Sequence, residues 1–146
     1  LDDVLAAPDF LHQMLRWADC HPTAVLGALE LDIQSGQPVY GGETLDWRTN
    51  TRRDLLHTLP AEQRHGLHPV TYLPGRGLLI PRQVLDTIGL FDEKRLPHYL
   101  ADFDYTSVAR RHGFRVYCNY DARLSTYPDE SGQEITRRQR SLRGYF

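Results

Sequence analysis

Apolar positions along the chain change period several times, and each change marks an expected element. Phe10, Leu11, Met14, Leu15, Trp17 and Ala18 fall at helical spacing behind Pro8, and His21-Pro22 ends the run, which predicts a helix. Residues 23–31 (TAVLGALEL) read as a buried strand, followed by a turn at Gln34-Ser35-Gly36-Gln37, a short strand at residues 38–40, and a close at Gly41-Gly42. Residues 43–68 carry few periodic apolar positions, several charges and three of the seven histidines; an irregular excursion with one short helix near residues 53–58 is expected.

Two strand-like runs, residues 70–73 and 78–80, bracket Pro74-Gly75-Arg76-Gly77. Pro81 then opens a helix that Gly89 stops, residues 91–99 form a loop, and residues 100–112 form a second helix ended by Gly113, with arginines in its last turn where the dipole favours them. Residues 115–120 alternate as a strand, with Val116 and Cys118 on one face; residues 127–132 read as a loop and 134–143 as a polar terminal helix. Helices set between strands with short connections predict a mixed α/β layer architecture, and no internal repeat is present.

A chain of 146 residues suits one domain spanning residues 1–146, long enough to bury roughly two thirds of its unfolded surface. Its formal net charge of −2, from 17 basic and 19 acidic side chains, provides no general positive field, which argues against nucleic acid as a partner. Basic residues do gather at the end, where Arg137, Arg138, Arg140 and Arg143 precede Tyr145 and Phe146; this is read as a solvated helix face, or alternatively as a peripheral contact with an anionic membrane or a partner. Cys20 and Cys118 belong to no metal-like spacing and are expected to be reduced, partly buried thiols of a cytoplasmic protein. No apolar stretch approaches the roughly 18 residues that span a bilayer. The opening Leu1-Asp2-Asp3-Val4 has the character of the exit of a buried strand, so the polypeptide is expected to be part of something longer.

Four groups hold the candidate chemistry: Asp2-Asp3, Gly75-Arg76-Gly77, residues 89–93, and Asp102-Phe103-Asp104. They are expected at carboxyl ends of strands and at helix N-termini, where ligands of α/β sheets gather. Asp2-Asp3 could ligate a hard divalent ion, which takes carboxylate oxygens and bridges them to phosphates; read alone, the two acids equally suit an exposed cap before Pro8. Asp102 and Asp104 complement a helix dipole, but His98 and Tyr99 crowd the same turn, a setting in which a carboxylate can be tuned as a general base. The Gly75–Gly77 turn is either a tight bend or a place where glycines admit a sugar or phosphate to the backbone, with Arg76 as an anion contact.

Taken together, Gly75-Arg76-Gly77-Leu78-Leu79-Ile80-Pro81-Arg82, Ile88-Gly89-Leu90-Phe91-Asp92-Glu93, residues 96–105 (LPHYLADFDY), Arg110 and Gly113-Phe114 resemble the C-terminal half of bacterial family 2 glycosyltransferases, rhamnosyltransferase-like members included. Asp2-Asp3-Val4 and Pro8-Asp9-Phe10-Leu11 are similar, more weakly, to that family's metal motif and the helix behind it. The resemblance implies the acceptor-side, C-terminal part of a GT-A fold with a mixed sheet, incomplete at its N-terminus, and hence a fragment inactive alone. It implies a hexosyltransferase taking a sugar from a nucleotide-diphosphate donor to a carbohydrate or lipid-linked acceptor for bacterial surface polysaccharide. Asp102 would be the base of an inverting displacement and Asp3 the ligand of Mg²⁺ or Mn²⁺. Asp2, Gly75, Arg76, Gly77, His98, Tyr99 and Asp104 would contact the substrates.

The sequence departs from the family pattern at Leu1, where an aspartate is usual, at Ala101, where an acid often precedes the base, and near Thr126, where a histidine ligand is frequent. The competing expectation is a non-catalytic module in which these acids are caps. A metal-dependent phosphohydrolase would need His-rich ligation and a second acid cluster that this sequence lacks.

Overall fold

The sheet is assembled around its longest strand, β7 (Val116–Thr126), in a computed structural model that describes residues 4–92, 94–96 and 100–127. Strand β2 (Val25–Asp32) runs parallel to β7 along one edge and carries β3 (Pro38–Tyr40) antiparallel on its far side. The opposite edge of β7 is shared: β6 (Leu67–Pro69) pairs antiparallel with its first half, and β1 (Val4–Ala6) antiparallel with its end, Val4 opposite Thr126. The result is a mixed five-stranded sheet in the order β1-β7-β2-β3 with β6 beside β7, the mixed α/β class expected.

Six consecutive residues of β2 are buried, as a strand covered on both faces requires. Alternation sends Val25 and Leu26 to opposite sides. Leu26 joins Ala122, Ala24 and Met14 beneath α1 (Phe10–Cys20), while Val25 and Leu29 join Val84 of α3 (Arg82–Ile88), Tyr105 and Ala109 of α4 (Ala101–Arg111), and Val116, Cys118 and Tyr120 of β7. The glycine of β2 is a packing requirement, because a Cβ at Gly27 would sit 2.5 Å from the Leu73 side chain.

Strand β7 departs from regular pairing between Asn119, opposite Ala28, and Arg123, opposite Leu29. The intervening residues bulge, which re-aims their side chains. Tyr120 donates its hydroxyl to the Gly41 carbonyl at 2.7 Å, and Asp121 accepts from the Trp17 indole at 2.9 Å and the Gly66 N–H at 3.0 Å. One carboxylate thereby ties α1 and the approach to β6 to the spine of the sheet.

Helices α1, α3 and α4 stand where the proline and glycine signals put them, and Gly89 and Gly113 take the positive φ that ends a helix. Residues 43–68 differ from the expected irregular excursion. They form a two-stranded antiparallel hairpin, β4 (Glu43–Asp46) with β5 (Thr51–Asp54), then α2 (Leu55–Thr58), a 3₁₀ turn and β6. The runs at 70–73 and 78–80 are not strands; each makes a single bridge, Tyr72 to Glu43 and Leu79 to Leu26. The last strand runs to Thr126 rather than stopping at 120. The cysteines are not both partly buried: Cys20 is exposed, whereas Cys118 is buried and its thiol is pushed well above the ordinary range by burial, then by Glu30 nearby. No helix among the described residues is long and apolar enough to cross a membrane. The expected terminal loop and helix, and the basic segment Arg137 to Arg143, lie outside the described residues.

The Asp121 contacts have a pH signature. Burial alone would raise this carboxyl, but the Gly66 and Trp17 N–H groups bond its charged form and hold it below the usual carboxylate value. Its folded pKa is therefore lower than its unfolded one, near 4, so the stabilisation is complete above about pH 4 and drains away as pH falls through the lower folded value. Asp121→Asn should cost about 1 kcal/mol at pH 7 and flatten the acid limb of the stability curve, measured by urea unfolding between pH 7 and pH 2.5.

Candidate active site

The carboxyl end of the parallel β2–β7 pair, where α/β sheets bind ligands, is also the end at which α4 begins. Asp102 lies in the first turn of α4. Its Oδ2 accepts the Gly75 N–H at 2.6 Å and its Oδ1 accepts the Phe103 N–H at 2.8 Å. Thr106, four residues on and so on the same helix face, accepts the Leu73 N–H at 2.9 Å and donates to the Asp102 carbonyl at 2.9 Å. Residues 73–75 are thus hung on α4 by two backbone N–H groups. A Cβ at Gly75 would meet Asp102 Oδ2 at 3.4 Å, ordinary contact distance, so the approach rests on the hydrogen bond and not on the missing side chain. An ionised carboxylate offers about four acceptor positions, and these two N–H groups orient it while leaving it able to accept a further donor.

The residue that launches α4 is strained. Leu100 has φ +65°, ψ +5°, the left-handed region that branched or bulky side chains avoid, and its side chain is exposed. Its carbonyl nevertheless accepts the Asp104 N–H at 2.9 Å, so this conformation starts the helix that carries Asp102. Strain of this kind persists where surrounding contacts over-determine the backbone, and it concentrates at functional sites.

On the sheet side of the same loop, Arg76 extends inward. Its Nη2 meets Glu30 Oε2 at 2.9 Å and its Nη1 donates to Thr126 Oγ1 at 3.2 Å. Glu30 and Thr126 are each 1% exposed. The next residue, Gly77, has φ +64°, and a Cβ there would strike Leu124 at 2.6 Å and Ala28 at 2.9 Å, so only glycine lets the loop lie on β2 and β7 this closely.

The hairpin β4–β5 is fastened to the other side of the loop. Tyr72 donates its hydroxyl to Glu43 Oε2 at 2.5 Å, Arg52 pairs with Glu43 Oε1 at 2.6 Å, and the Leu45 N–H bonds Thr71 Oγ1 at 2.8 Å. Burial, then the bond to Glu43, raises the Tyr72 phenol far above its ordinary value, so it remains a donor throughout the working pH range. The Tyr72 ring packs edge-on to Phe103, centroids 5.0 Å apart, next in the chain to Asp102.

Of the residues singled out from the sequence, the structure brings together Gly75, Arg76, Gly77 and Asp102. Asp104, two positions on and so across the helix, lines a separate hollow of about 420 Å³ between the end of α3 and α4, with Leu90, Asp92, Arg95 and Arg111. Asp2, Asp3, His98 and Tyr99 lie outside the described residues; Val4, the chain neighbour of Asp3, pairs with Thr126. Among the described residues no group of three or more His, Cys, Asp or Glu is arranged to hold a metal ion. Glu30, Thr106 and Glu43 went unrecognised. A signal existed for Glu30, because an acid inside an apolar strand is rarely buried without a partner.

With this geometry in place, the comparison with known families is specific. The profile of the family described as "Glycosyltransferase like family 2" matches residues 2–146, nearly the whole chain, and the chain therefore belongs to the family 2 glycosyltransferases. A search of curated proteins returns no match. Membership implies, in general terms, a nucleotide-sugar donor and an acceptor.

The Thr106 hydroxyl is the testable part of the architecture. Thr106→Val keeps shape but leaves the buried Leu73 N–H without its acceptor, and should cost about 1–3 kcal/mol; Thr106→Ser should recover most of it. Chemical denaturation of the two variants beside the parent measures the difference.

Proposed function

We propose that the protein transfers a hexose from a nucleotide-diphosphate donor to a hydroxyl of a carbohydrate or lipid-linked acceptor, with inversion, in bacterial surface polysaccharide synthesis, and that Asp102 is the general base. The observation that carries the reading is the Asp102 carboxylate, oriented by the Gly75 N–H at the carboxyl end of the β2–β7 pair in a family 2 glycosyltransferase. The acceptor oxygen attacks the anomeric carbon from the face opposite the leaving group. As the new C–O bond forms, the bond from that carbon to the phosphate oxygen breaks, and its electron pair departs with the nucleoside diphosphate. The hydroxyl proton passes to Asp102, a role that a positioned carboxylate fills for about 10²–10⁴ in rate.

The loop at Gly75 and Gly77 lies beside the donor sugar in this reading, with Asp2, His98, Tyr99 and Asp104 as further substrate contacts. The described residues do not by themselves build a cation site: the Glu30 carboxylate and the Thr126 hydroxyl both face the Arg76 guanidinium, a poor neighbour for a second cation. In this reading Asp3 would be the protein ligand of Mg²⁺ or Mn²⁺. The ion's contribution would be to neutralise charge on the departing diphosphate. The working location is the cytoplasm, with peripheral membrane contact through the basic segment at Arg137 to Arg143.

In the complete polypeptide encoded by the gene, Asp102→Asn should lower kcat by about 10²-fold or more at saturating donor and acceptor. Asp104→Asn, lying in the separate hollow beside α3, should leave kcat near the parent's and change at most the acceptor KM, and Asp3→Asn should raise the divalent-ion concentration needed for half-maximal rate. Steady-state kinetics with a product assay read all three; an Asp102→Asn enzyme with parental kcat would remove the base from this scheme.

A further inference from the structure

Arg76 occupies the centre of the glycine loop, where an anion contact to the donor would be the natural assignment, yet its guanidinium meets two buried protein groups. Its Nη2 lies 2.9 Å from Glu30 Oε2 on β2, and its Nη1 lies 3.2 Å from Thr126 Oγ1 at the end of β7. One residue before it, the Gly75 N–H is bonded to Asp102 at 2.6 Å. One residue after it, Gly77 is wedged against Ala28 and Leu124, neighbours on the same two strands. On the far side of Thr126 lies Val4 of β1, the strand that follows Asp2-Asp3.

We infer that Glu30 and Arg76 are positioning residues for the transfer reaction. The buried carboxylate fixes the guanidinium, the guanidinium fixes the loop, and the loop presents the Gly75 N–H that aims Asp102. The same guanidinium, through Thr126, holds the end of β7 against the start of β1, so one side chain sets the base and the strand following the acidic pair in a common frame. This inference rests on the reading of Asp102 as the base.

Geometry explains why arginine is required. A planar fork places two nitrogens on two acceptors from different strands at once, whereas a lysine ammonium at the same site is a single point of charge on a flexible stem. Misplacement of a reacting group by about 1 Å can cost roughly 10²-fold in rate, so the loop need not unfold for catalysis to fail.

The experiment uses the complete polypeptide and four variants: Arg76→Lys, Glu30→Gln, the paired neutral replacement Glu30→Gln with Arg76→Met, and Asp102→Asn. Removing one partner of a buried pair can unfold a protein, which is why the charge-conserving and the doubly neutral variants are included. Two measurements are made on each folded variant: kcat and KM for donor and acceptor, and hydrogen exchange of the Gly75 amide.

The expected result is a kcat lowered by about 10-fold to 10²-fold in Arg76→Lys and Glu30→Gln, with donor KM within about twofold of the parent. The paired replacement should be no worse than the single ones, since residues acting as one unit are not additive. Gly75 amide exchange should quicken by about tenfold in all three. Parental Gly75 exchange in the Arg76 and Glu30 variants would overturn the inference whatever the rates. A donor KM raised by Arg76→Lys while Glu30→Gln stays parental would overturn it in favour of a direct anion contact. Parental kcat in Asp102→Asn would instead overturn the base assignment, and the Gly75 exchange data show separately whether the loop depends on the buried pair.

Discussion

The constraint on which this structure turns is a charge that cannot be left alone. Glu30 lies inside β2 at 1% exposure, and removing a carboxylate from water is so costly that the fold must answer it with a cation and hydrogen bonds. The answer comes from Arg76, in a connection that forms no strand and bridges the sheet at Leu79 opposite Leu26. The Arg76 side chain is 25% exposed and Glu30 1%, so the pair contributes little net stability, although removing the guanidinium takes this cation from a buried carboxylate. The pair's effect is on geometry: the loop has one place to be, and Asp102 is fastened to that loop.

The loop is then gripped from three sides by different physics. Sheet contact is steric and electrostatic, through Gly77 against Ala28 and Leu124 and through the Glu30–Arg76 pair. Contact with α4 is by hydrogen bonds, Leu73 to Thr106 and Gly75 to Asp102. Contact with the β4–β5 hairpin runs through Glu43, which draws in both Tyr72 and Arg52. Because Tyr72 packs on Phe103, the hairpin bears on the same turn of α4 that carries Asp102. A residue in αL at Leu100 is tolerable in this setting because the helix it starts is fixed by so much else.

How far the sequence foretold this depends on which force shapes each part. Helices α1, α3 and α4 were legible because local chemistry bounds them, with Pro8, Pro81, Gly89 and Gly113 at their limits. The β4–β5 hairpin was not, because its strands read ETLD and TRRD and carry no apolar alternation; what orders it is the long-range bond of Glu43 to Tyr72. The second half of β7 was hidden by its bulge, which breaks the period that would have extended the strand past Tyr120. The place of Asp102 in the first turn of a helix was legible from the sequence, whereas nothing local marks Thr106, whose acceptor role depends on Leu73 from a distant loop.

The two glycines of the loop show why a short motif underdetermines its own meaning. As a string, Gly75-Arg76-Gly77 suggests a flexible cradle for a ligand. In the structure only one of the glycines is required by its surroundings: Gly77 takes a positive φ and drops the chain onto the sheet, whereas a Cβ at Gly75 would meet Asp102 at ordinary contact distance. Between them Arg76 is turned toward Glu30, so the residue with most charge in the motif serves its stiffness. In the transfer proposed above, a loop stiff on its protein side would keep Asp102 aligned before the acceptor arrives. Reorganising it during the reaction would add to the barrier that preorganisation otherwise lowers.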